Sequence, residues 1–370
     1  MKRGKKSSKK KSKGSAIIVV LIIVIIALVI YGLSTSKPKN VAVQNEPDKT
    51  NLETETIVQE EEPKQEEKSD IKIFNGTDRP MAFMIDNNKN AQPQASINST
   101  YMVYEIIVEG GETRLMALFK GKDADQVGPI RSSRHYFLDY AMENDAIYAH
   151  LGMSPQAGEA IKQFGINNIN GQAYDTGKTR TDSSLYWRVT HKKAPHNAYT
   201  NTKAIFQIAK SKGYKTTSDK KSVLNYVAEE VNLDGTNAVV ANEITIPYTS
   251  SHKVKYVYND QTKRYIRYSK GKKMSDEISK DDITTKNIII TFAENYTLND
   301  GEDKGRQDVV TVGNLDGYYI TNGKAIKIKC KKEARETQTK YIDLEGNEIS
   351  VNDGNTWVNV CPIDSNVVIE

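Results

Sequence analysis

The feature that most constrains this chain is an apolar run that follows a basic tail. Eight Lys or Arg residues fall within residues 2–13, and the eighteen residues 16–33 carry no charge. At about 1.5 Å per residue this run forms a helix of about 27 Å, long enough to cross the hydrocarbon core of a bilayer. We therefore predict a basic cytoplasmic tail at 1–15 and a transmembrane helix at 16–34, with the later residues outside the cytoplasm.

A cleaved signal peptide is the competing interpretation of the same run. The run is longer than a usual signal-peptide core, and the segment 31–37 (YGLSTSK) is a poor cleavage site. No cysteine follows the run, which argues against lipid attachment at that point. The sequence therefore favours a permanent single-pass anchor in the cytoplasmic membrane.

The net charge of +5 is misleading because the basic tail supplies it. Removing the eight basic residues of the tail from the 52 Lys and Arg leaves 44, against 47 Asp and Glu. A slightly acidic external part argues against nucleic acid as a partner, since phosphate binding needs a basic surface. The tail is better suited to setting the topology and contacting anionic lipid headgroups.

The external part is predicted to contain a linker and two domains. Residues 35–70 are rich in Glu, Lys, Gln, Pro and Thr, which is typical of a disordered acidic linker. In the first predicted domain, 71–217, strands alternate with helices, so we expect an α+β or α/β fold. The second, 235–370, is predicted to be mainly β and has no catalytic pattern, so an accessory module is the simplest interpretation.

The individual elements follow from hydrophobic periodicity and turn residues. We predict first-domain strands at 79–86, 100–108, 113–119 and 145–150, and helices at 133–144, 155–164 and 202–212. The second domain is predicted to contain a hairpin of strands 254–258 and 265–268, then strands at 287–292, 318–320, 324–330 and 348–351.

Two cysteines, Cys330 and Cys361, both lie in alternating segments typical of strands. A hairpin could bring those strands together, and an extracytoplasmic location permits oxidation. A disulfide and a pair of buried free thiols are the two open alternatives.

Two charged segments inside an apolar region are the candidate functional site. They are 105–114 (EIIVEGGETR) and 128–134 (GPIRSSR). Charges enter such regions when they pair or hold a ligand. Arg114, Arg131 and Arg134 could capture a phosphate or carboxylate. Three carboxylates could orient these arginines or bind a divalent cation: Asp86, Glu105 and Glu109.

Further residues are candidates for the same pocket, each with a structural alternative. They are His150, Arg188 and His196. A buried salt-bridge network is the alternative for the whole cluster, and a hydrogen-bonded histidine at a strand end is the alternative for His150. His196 lies in a predicted exposed turn, which favours ligand binding. The remaining histidines are predicted to be surface residues: His135, His191 and His252.

The chain resembles the YerB-like family of bacterial membrane-anchored proteins, a two-domain family of unknown function. The first-domain motifs that carry this resemblance are 84–87 (MIDN), 104–105 (YE), 109–114 (EGGETR), 128–134 (GPIRSSR), 150–154 (HLGMS) and 194–197 (APHN). The second-domain motifs are 317–319 (GYY), 322–324 (NGK), 344–349 (LEGNEI) and 354–357 (GNTW). The resemblance adds Asn87 and Asn197 to the candidate ligand-binding residues, and it implies an extracytoplasmic location but no established activity.

The chain departs from the family pattern at two places. Many relatives carry a lipobox cysteine, whereas this chain has the predicted transmembrane helix. Cys330 stands where relatives usually have Trp, and Cys361 stands where they have an apolar residue. The resemblance thus supports a disulfide between the two.

We expect an extracytoplasmic envelope protein that binds an anionic ligand or a protein partner through the charged segments. The ligand could be a cell-wall polymer, a peptidoglycan fragment or a lipid-linked precursor. The sequence leaves open whether the protein is an enzyme, and no cofactor is predicted. One alternative, similar in architecture only, is a LytR-CpsA-Psr phosphotransferase acting on polyprenyl-pyrophosphate-linked polymers, which would require Mg²⁺. The other is a structural scaffold without a small ligand.

Overall fold

The computed structural model describes residues 71–73, 77–235 and 237–370. The predicted tail (1–15), transmembrane helix (16–34) and linker (35–70) lie outside the described residues. Among the residues that are described, no helix is both long enough and apolar enough to span a bilayer.

Three α-helices occur in the described ranges, and all belong to the first predicted domain. They are α1 (Phe137–Glu143), α2 (Pro155–Phe164) and α3 (Thr202–Ser211). Ser154 and Asn201 each accept a hydrogen bond from the backbone N–H three residues later, which fixes where α2 and α3 begin. Helix α1 begins four residues later than predicted, because Ser133 N donates to Gly152 O and is held in a bridge.

One large sheet of eleven strands runs through the described chain, with strands numbered in chain order. Its spatial order is β20 (Lys340–Ile342), β19 (Lys324–Lys332), β18 (Gly313–Thr321), β15 (Asn287–Ala293), β22 (Thr356–Pro362), β2 (Met102–Ile107), β3 (Thr113–Phe119), β1 (Met81–Asp86), β4 (Ile147–His150) and β5 (Asn168–Asn170), with β9 (Val239–Val240) beside β19. The sheet therefore takes strands from both predicted domains, and they meet where β22 pairs with β2.

The other described strands form smaller sheets. A six-stranded sheet contains β13 (Lys272–Lys273), β12 (Arg264–Ser269), β11 (Lys253–Asn259), β10 (Glu243–Pro247) and β23 (Val368–Ile369), with β14 (Thr284–Thr285) beside β12. Three pairs complete the set: β6 (Trp187–Arg188) with β7 (Ala198–Tyr199), β8 (Asn225–Val227) with β21 (Ser350–Asn352), and β16 (Asn295–Thr297) with β17 (Gln307–Val309). The two-domain, mostly β architecture confirms that part of the predicted fold class, while the predicted transmembrane helix lies outside the described residues.

The centre of the large sheet is covered on both faces. Strand β3 is buried along its whole length, as expected for a strand between two layers. On one face Tyr104 of β2 packs against Tyr140 of α1, with ring centroids 4.6 Å apart. On the other face Trp357 of β22 packs against Tyr256 of β11, with centroids 6.4 Å apart. The core thus lies between α1, the large sheet and the six-stranded sheet.

The predicted disulfide is wrong in this structure. Cys330 and Cys361 are both free and buried. Cys330 lies on β19 and Cys361 on β22, and strands β18 and β15 lie between them. Three strand spacings of about 4.8 Å separate the two chains by about 14 Å, beyond the reach of a disulfide. The prediction failed because it assumed that the two strands are neighbours.

Both thiols should be unreactive while the protein is folded. Burial raises the pKa of Cys330 to about 12 and also raises the pKa of Cys361, so neither forms the reactive thiolate near neutral pH. We expect a thiol reagent to label no cysteine in the native protein and two per chain in denaturant without reductant. Absence of labelling in denaturant would instead indicate the disulfide.

Candidate functional site

The site lies at one edge of the large sheet, where several strands end or begin. Strands β1, β2 and β4 run in the same direction, and β3 runs opposite to β1 and β2. Asp86 ends β1 and is paired in register with Arg114 at the start of β3. Glu109 follows β2, and His150 ends β4. Ligands often bind in α/β sheets at the carboxyl ends of parallel strands, and the charged segments meet at such an edge.

The backbone around this edge needs glycine. Gly110 and Gly111 both have positive φ angles, 68° and 69°, between β2 and β3. At Gly128, a Cβ atom would approach the Tyr199 ring to 2.8 Å. Glycine at these positions lets the two charged segments turn sharply and bring their side chains to one place.

Glu109 joins two of the three predicted arginines. Its Oε1 accepts a hydrogen bond from Arg134 Nε, and its Oε2 lies 3.5 Å from a terminal nitrogen of Arg114. Arg114 also donates to Ser132 O at 2.7 Å. Burial raises the pKa of Glu109, but the hydrogen bond and charge of Arg134 outweigh it and the net pKa is lowered. Glu109 is therefore a carboxylate that holds both guanidinium groups.

Asp86 joins the third arginine to a histidine. Its Oδ2 lies 3.1 Å from Arg131 Nε and 2.7 Å from His196 Nδ1. Its Oδ1 accepts from the backbone N–H of Asn88 at 3.0 Å. We call Arg114, Arg131, Arg134, Glu109 and Asp86 the arginine cluster.

The arginine cluster carries more positive than negative charge. Three guanidinium groups share two carboxylates. Burial, followed by repulsion from Arg134, lowers the pKa of Arg114 to about 10, and Arg131 adds to this repulsion. The Nε atom of Arg131 is buried and makes no hydrogen bond to a described residue, so its contact with Asp86 is an ion pair only, and the side chain is 27% exposed. A partly exposed, incompletely neutralised arginine is a suitable anion acceptor.

Glu105 does not join the cluster, contrary to the prediction. It lies on β2 and is fully buried on the face of the large sheet opposite Arg114, where its Oε2 accepts from Arg267 at 2.5 Å. Its Oε1 accepts from Asn87 at 3.0 Å and from Thr113 at 2.7 Å. Burial raises the pKa of Glu105, but the charge of Arg267 and the hydrogen bonds from His252 and Thr113 outweigh burial, and the net pKa is lowered. Glu105 and Asn87 therefore belong to a buried polar network that joins the two larger sheets.

His150 is also unavailable to a ligand. Its ring is buried, with Nδ1 2.8 Å from Gly152 O and Nε2 3.2 Å from Asn168 Oδ1. Burial lowers its pKa, which favours the neutral ring. The hydrogen-bonded histidine at a strand end, the structural alternative, fits these contacts.

Arg188 and Asn197 bind each other rather than the cluster. Arg188 donates to Asn197 Oδ1 at 3.0 Å and to Asp175 Oδ2 at 2.9 Å. Asn197 in turn donates to Val189 O at 3.2 Å. These contacts fix the hairpin of β6 and β7, from which the neighbouring His196 reaches Asp86.

Two of the three histidines predicted to lie on the surface do not. His252 is fully buried, with Nε2 3.2 Å from Thr113 Oγ1. His135 lies 2.7 Å from Asp308 of β17 and its side chain is only 13% exposed. His191 is 55% exposed, as expected for a surface residue. The prediction failed because the partners of His135 and His252 are distant in sequence.

Arg267 is an important polar residue that the sequence reading missed. It is fully buried and lies 4.0 Å above the Trp357 ring. In β12 it shares a face with the buried Tyr265, so period-two alternation does place it inward. A charged residue on the inward face of a predicted strand was the sequence signal that could have identified Arg267.

The acidic residues do not converge on a metal site. Glu105 contacts Arg267, Glu109 contacts Arg134, and Asp86 contacts Arg131. Over the ranges that the structure describes, no group of three His, Cys, Asp or Glu side chains is arranged to hold a metal ion. The carboxylates at this edge orient arginines, which was the other role predicted for them.

Three cavities of about 580, 850 and 790 Å³ lie elsewhere in the described structure. None of them is lined by Arg114, Arg131 or Arg134. The arginines do converge, but these cavities do not adjoin them as a lipid-binding tunnel would.

Breaking the buried pair of Glu105 and Arg267 should be strongly destabilising. We expect Arg267→Met to lower the free energy of unfolding by about 3–5 kcal/mol, because Glu105 is left buried without its partner. The double variant Glu105→Gln, Arg267→Met should recover part of this loss. Urea unfolding measures each value, with Lys263→Met in an exposed pair as a control that should have no effect. Equal stability of the Arg267 variant and the unmodified protein would contradict the network.

The pair of His135 and Asp308 predicts one component of acid sensitivity. The hydrogen bond from His135 lowers the pKa of Asp308 to about 2, below the unfolded value of about 3.9. Because the folded pKa is depressed, this stabilisation is present above about pH 4 and is lost as the pH falls towards 2. Between pH 5 and 2, the midpoint temperature of thermal unfolding should therefore fall less for Asp308→Asn than for the unmodified protein.

Comparison with known proteins identifies the family. Residues 68–215 match the N-terminal domain, and residues 244–358 the C-terminal domain, of a protein family of unknown function, DUF3048. A Bacillus subtilis (strain 168) protein described as a candidate lipoprotein, YerB, is 28% identical over 298 residues, covering 77% of this chain and 81% of YerB. The crystal structure of YerB from Bacillus subtilis has a TM-score of 0.68 and 27% identity, covering 81% of this chain and 97% of that structure. The chain belongs to the YerB-like family of two-domain proteins, whose function is not established.

Proposed function

We propose that this protein is a membrane-anchored envelope protein whose external domains bind an anionic ligand at the arginine cluster. The anchor is supported by the basic tail and the apolar run at 16–33. It is also supported by the similarity to a protein described as a candidate lipoprotein. The ligand is a phosphate-bearing or carboxylate-bearing component of the envelope, such as a wall polymer or a lipid-linked precursor.

The observation that carries this proposal is the unbalanced charge of the arginine cluster. Asp86 already accepts hydrogen bonds from His196 and Asn88, so it neutralises Arg131 only in part. Leaving a charge inside a protein without its partner is destabilising, so a surplus guanidinium is costly without an anion. A bound anion would supply the missing partner and use the terminal nitrogens of Arg131.

A purely structural network makes a different demand on Arg131. If the cluster only stabilised the sheet edge, removing Arg131 would cost stability, because the nearly buried Asp86 would lose an ion-pair partner. A binding role needs that same exposed guanidinium to remain accessible. Ligand retention and stability therefore separate the two interpretations.

The experiment compares ligands retained by the full-length protein and by the double variant Arg131→Ala, Arg134→Ala. Both proteins are extracted gently from their native membrane and analysed by mass spectrometry. A wall fragment or polyprenyl phosphate retained only by the unmodified protein supports the proposal, and polyprenyl phosphate would also favour the phosphotransferase. No retained anion in either sample would favour a protein-binding or scaffold role.

A single substitution gives the quantitative test. We expect Arg131→Ala to weaken binding of inorganic phosphate at least 10-fold while changing the free energy of unfolding by less than about 1 kcal/mol. The matched control is Arg335→Ala, because Arg335 is similarly exposed at 31% and pairs with Asp139 away from the cluster. Calorimetry and urea unfolding measure the two quantities. A loss of stability with unchanged phosphate binding would show that Arg131 is structural.

A further inference from the structure

His196 forms a second functional element beside the arginine cluster. Its Nδ1 lies 2.7 Å from Asp86 Oδ2, the same oxygen that Arg131 Nε approaches at 3.1 Å. An ionised carboxylate can only accept hydrogen bonds, so Nδ1–H is the donor. In the neutral imidazole this leaves the lone pair on Nε2, which has no partner among the described residues. A carboxylate that orients a histidine in this way is the arrangement of a general base.

The surrounding structure holds this pair firmly. The backbone N–H of His196 donates to Lys193 O at 2.9 Å, and the adjacent Asn197 is held by Arg188. The backbone N–H of Asp86 donates to Pro129 O at 2.9 Å. Arg188 and Asn197, which do not reach the cluster themselves, thereby act as positioning residues for His196.

The position of the base relative to the surplus charge indicates the reacting group. Arg131 Nε and His196 Nδ1 approach the same carboxylate oxygen of Asp86, so an anion held by Arg131 lies next to the imidazole ring. A carboxylic ester has no charge for Arg131 to bind, and a free carboxylate is not attacked by water. A phosphate ester carries its negative charge on the same centre that water attacks.

We propose that the protein hydrolyses a phosphate ester bound at Arg131, with His196 as the general base. This inference rests on the proposed anion-binding function. His196 Nε2 accepts a proton from water, and the water oxygen forms a bond to phosphorus. The bond from phosphorus to the ester oxygen breaks, the released alkoxide takes a proton from solvent, and His196 returns its own proton to solvent. Arg131 offsets the charge that develops on the other phosphate oxygens.

The test uses the full-length protein in detergent and the probe bis(4-nitrophenyl) phosphate. We expect release of 4-nitrophenolate, and we expect His196→Gln to lower kcat about 100-fold or more, as is usual when a general base is removed. His196→Gln should still bind inorganic phosphate within a factor of two. The matched control is His191→Gln, an exposed histidine of the same hairpin, which should retain the unmodified rate.

The outcomes separate this inference from the proposed function. Phosphate binding without hydrolysis, or equal rates for His196→Gln and the unmodified protein, would overturn the hydrolytic role and leave anion binding intact. Absence of phosphate binding by the unmodified protein would overturn both. If His196→Gln fails to fold, the rates of the unmodified protein in H₂O and D₂O are compared. General-base catalysis transfers a proton from water and predicts a slower reaction in D₂O. Equal rates in the two solvents would overturn the hydrolytic role of His196.

Discussion

The buried ion pair between Glu105 and Arg267 is the interaction on which the architecture depends. Both side chains are fully buried, and they join the large sheet to the six-stranded sheet that covers it. Isolated charges cannot remain in such an interior, so each residue requires the other sheet to be in place. The hydrogen bonds from Asn87 and Thr113 to Glu105 extend this requirement to the ends of β1 and β3. Asn87 and Thr113 are the chain neighbours of Asp86 and Arg114, so the network supports the strand ends that carry the arginine cluster.

This arrangement divides similar residues between two tasks. Glu105 and Glu109 are four residues apart, yet one is enclosed by the second sheet and the other faces the arginines. The glycines that follow Glu109 turn the chain so that the strand ends between the two carboxylates. Asp86 and Asn87 separate in the same way, since Asp86 contacts Arg131 while Asn87 contacts Glu105. The cluster is therefore neither wholly structural nor wholly exposed.

Local features were predictable from the sequence, and long-range pairing was not. Strand β3 and helix α2 have the predicted bounds, because a short continuous apolar run and the Ser154 cap are encoded within a few residues. The convergence of Arg114, Arg131 and Arg134 was also predictable, because their segments follow strands of one domain. The partner of Glu105 is 162 residues away in sequence, and the two cysteine strands are separated by β15 and β18. Spacing along one chain contains no such information.

The position of β22 has a consequence for how the chain must fold. This strand, Thr356–Pro362, lies between β15 and β2, and it pairs in parallel with both. The central sheet of the first half is therefore incomplete until residues near the carboxyl end of this 370-residue chain have been synthesised. Strand pairings over such sequence separations form slowly, because the entropy of closing a large loop is lost before the pairing adds stabilising contacts. The strands of both halves would thus complete the large sheet in one cooperative step, rather than each half folding by itself.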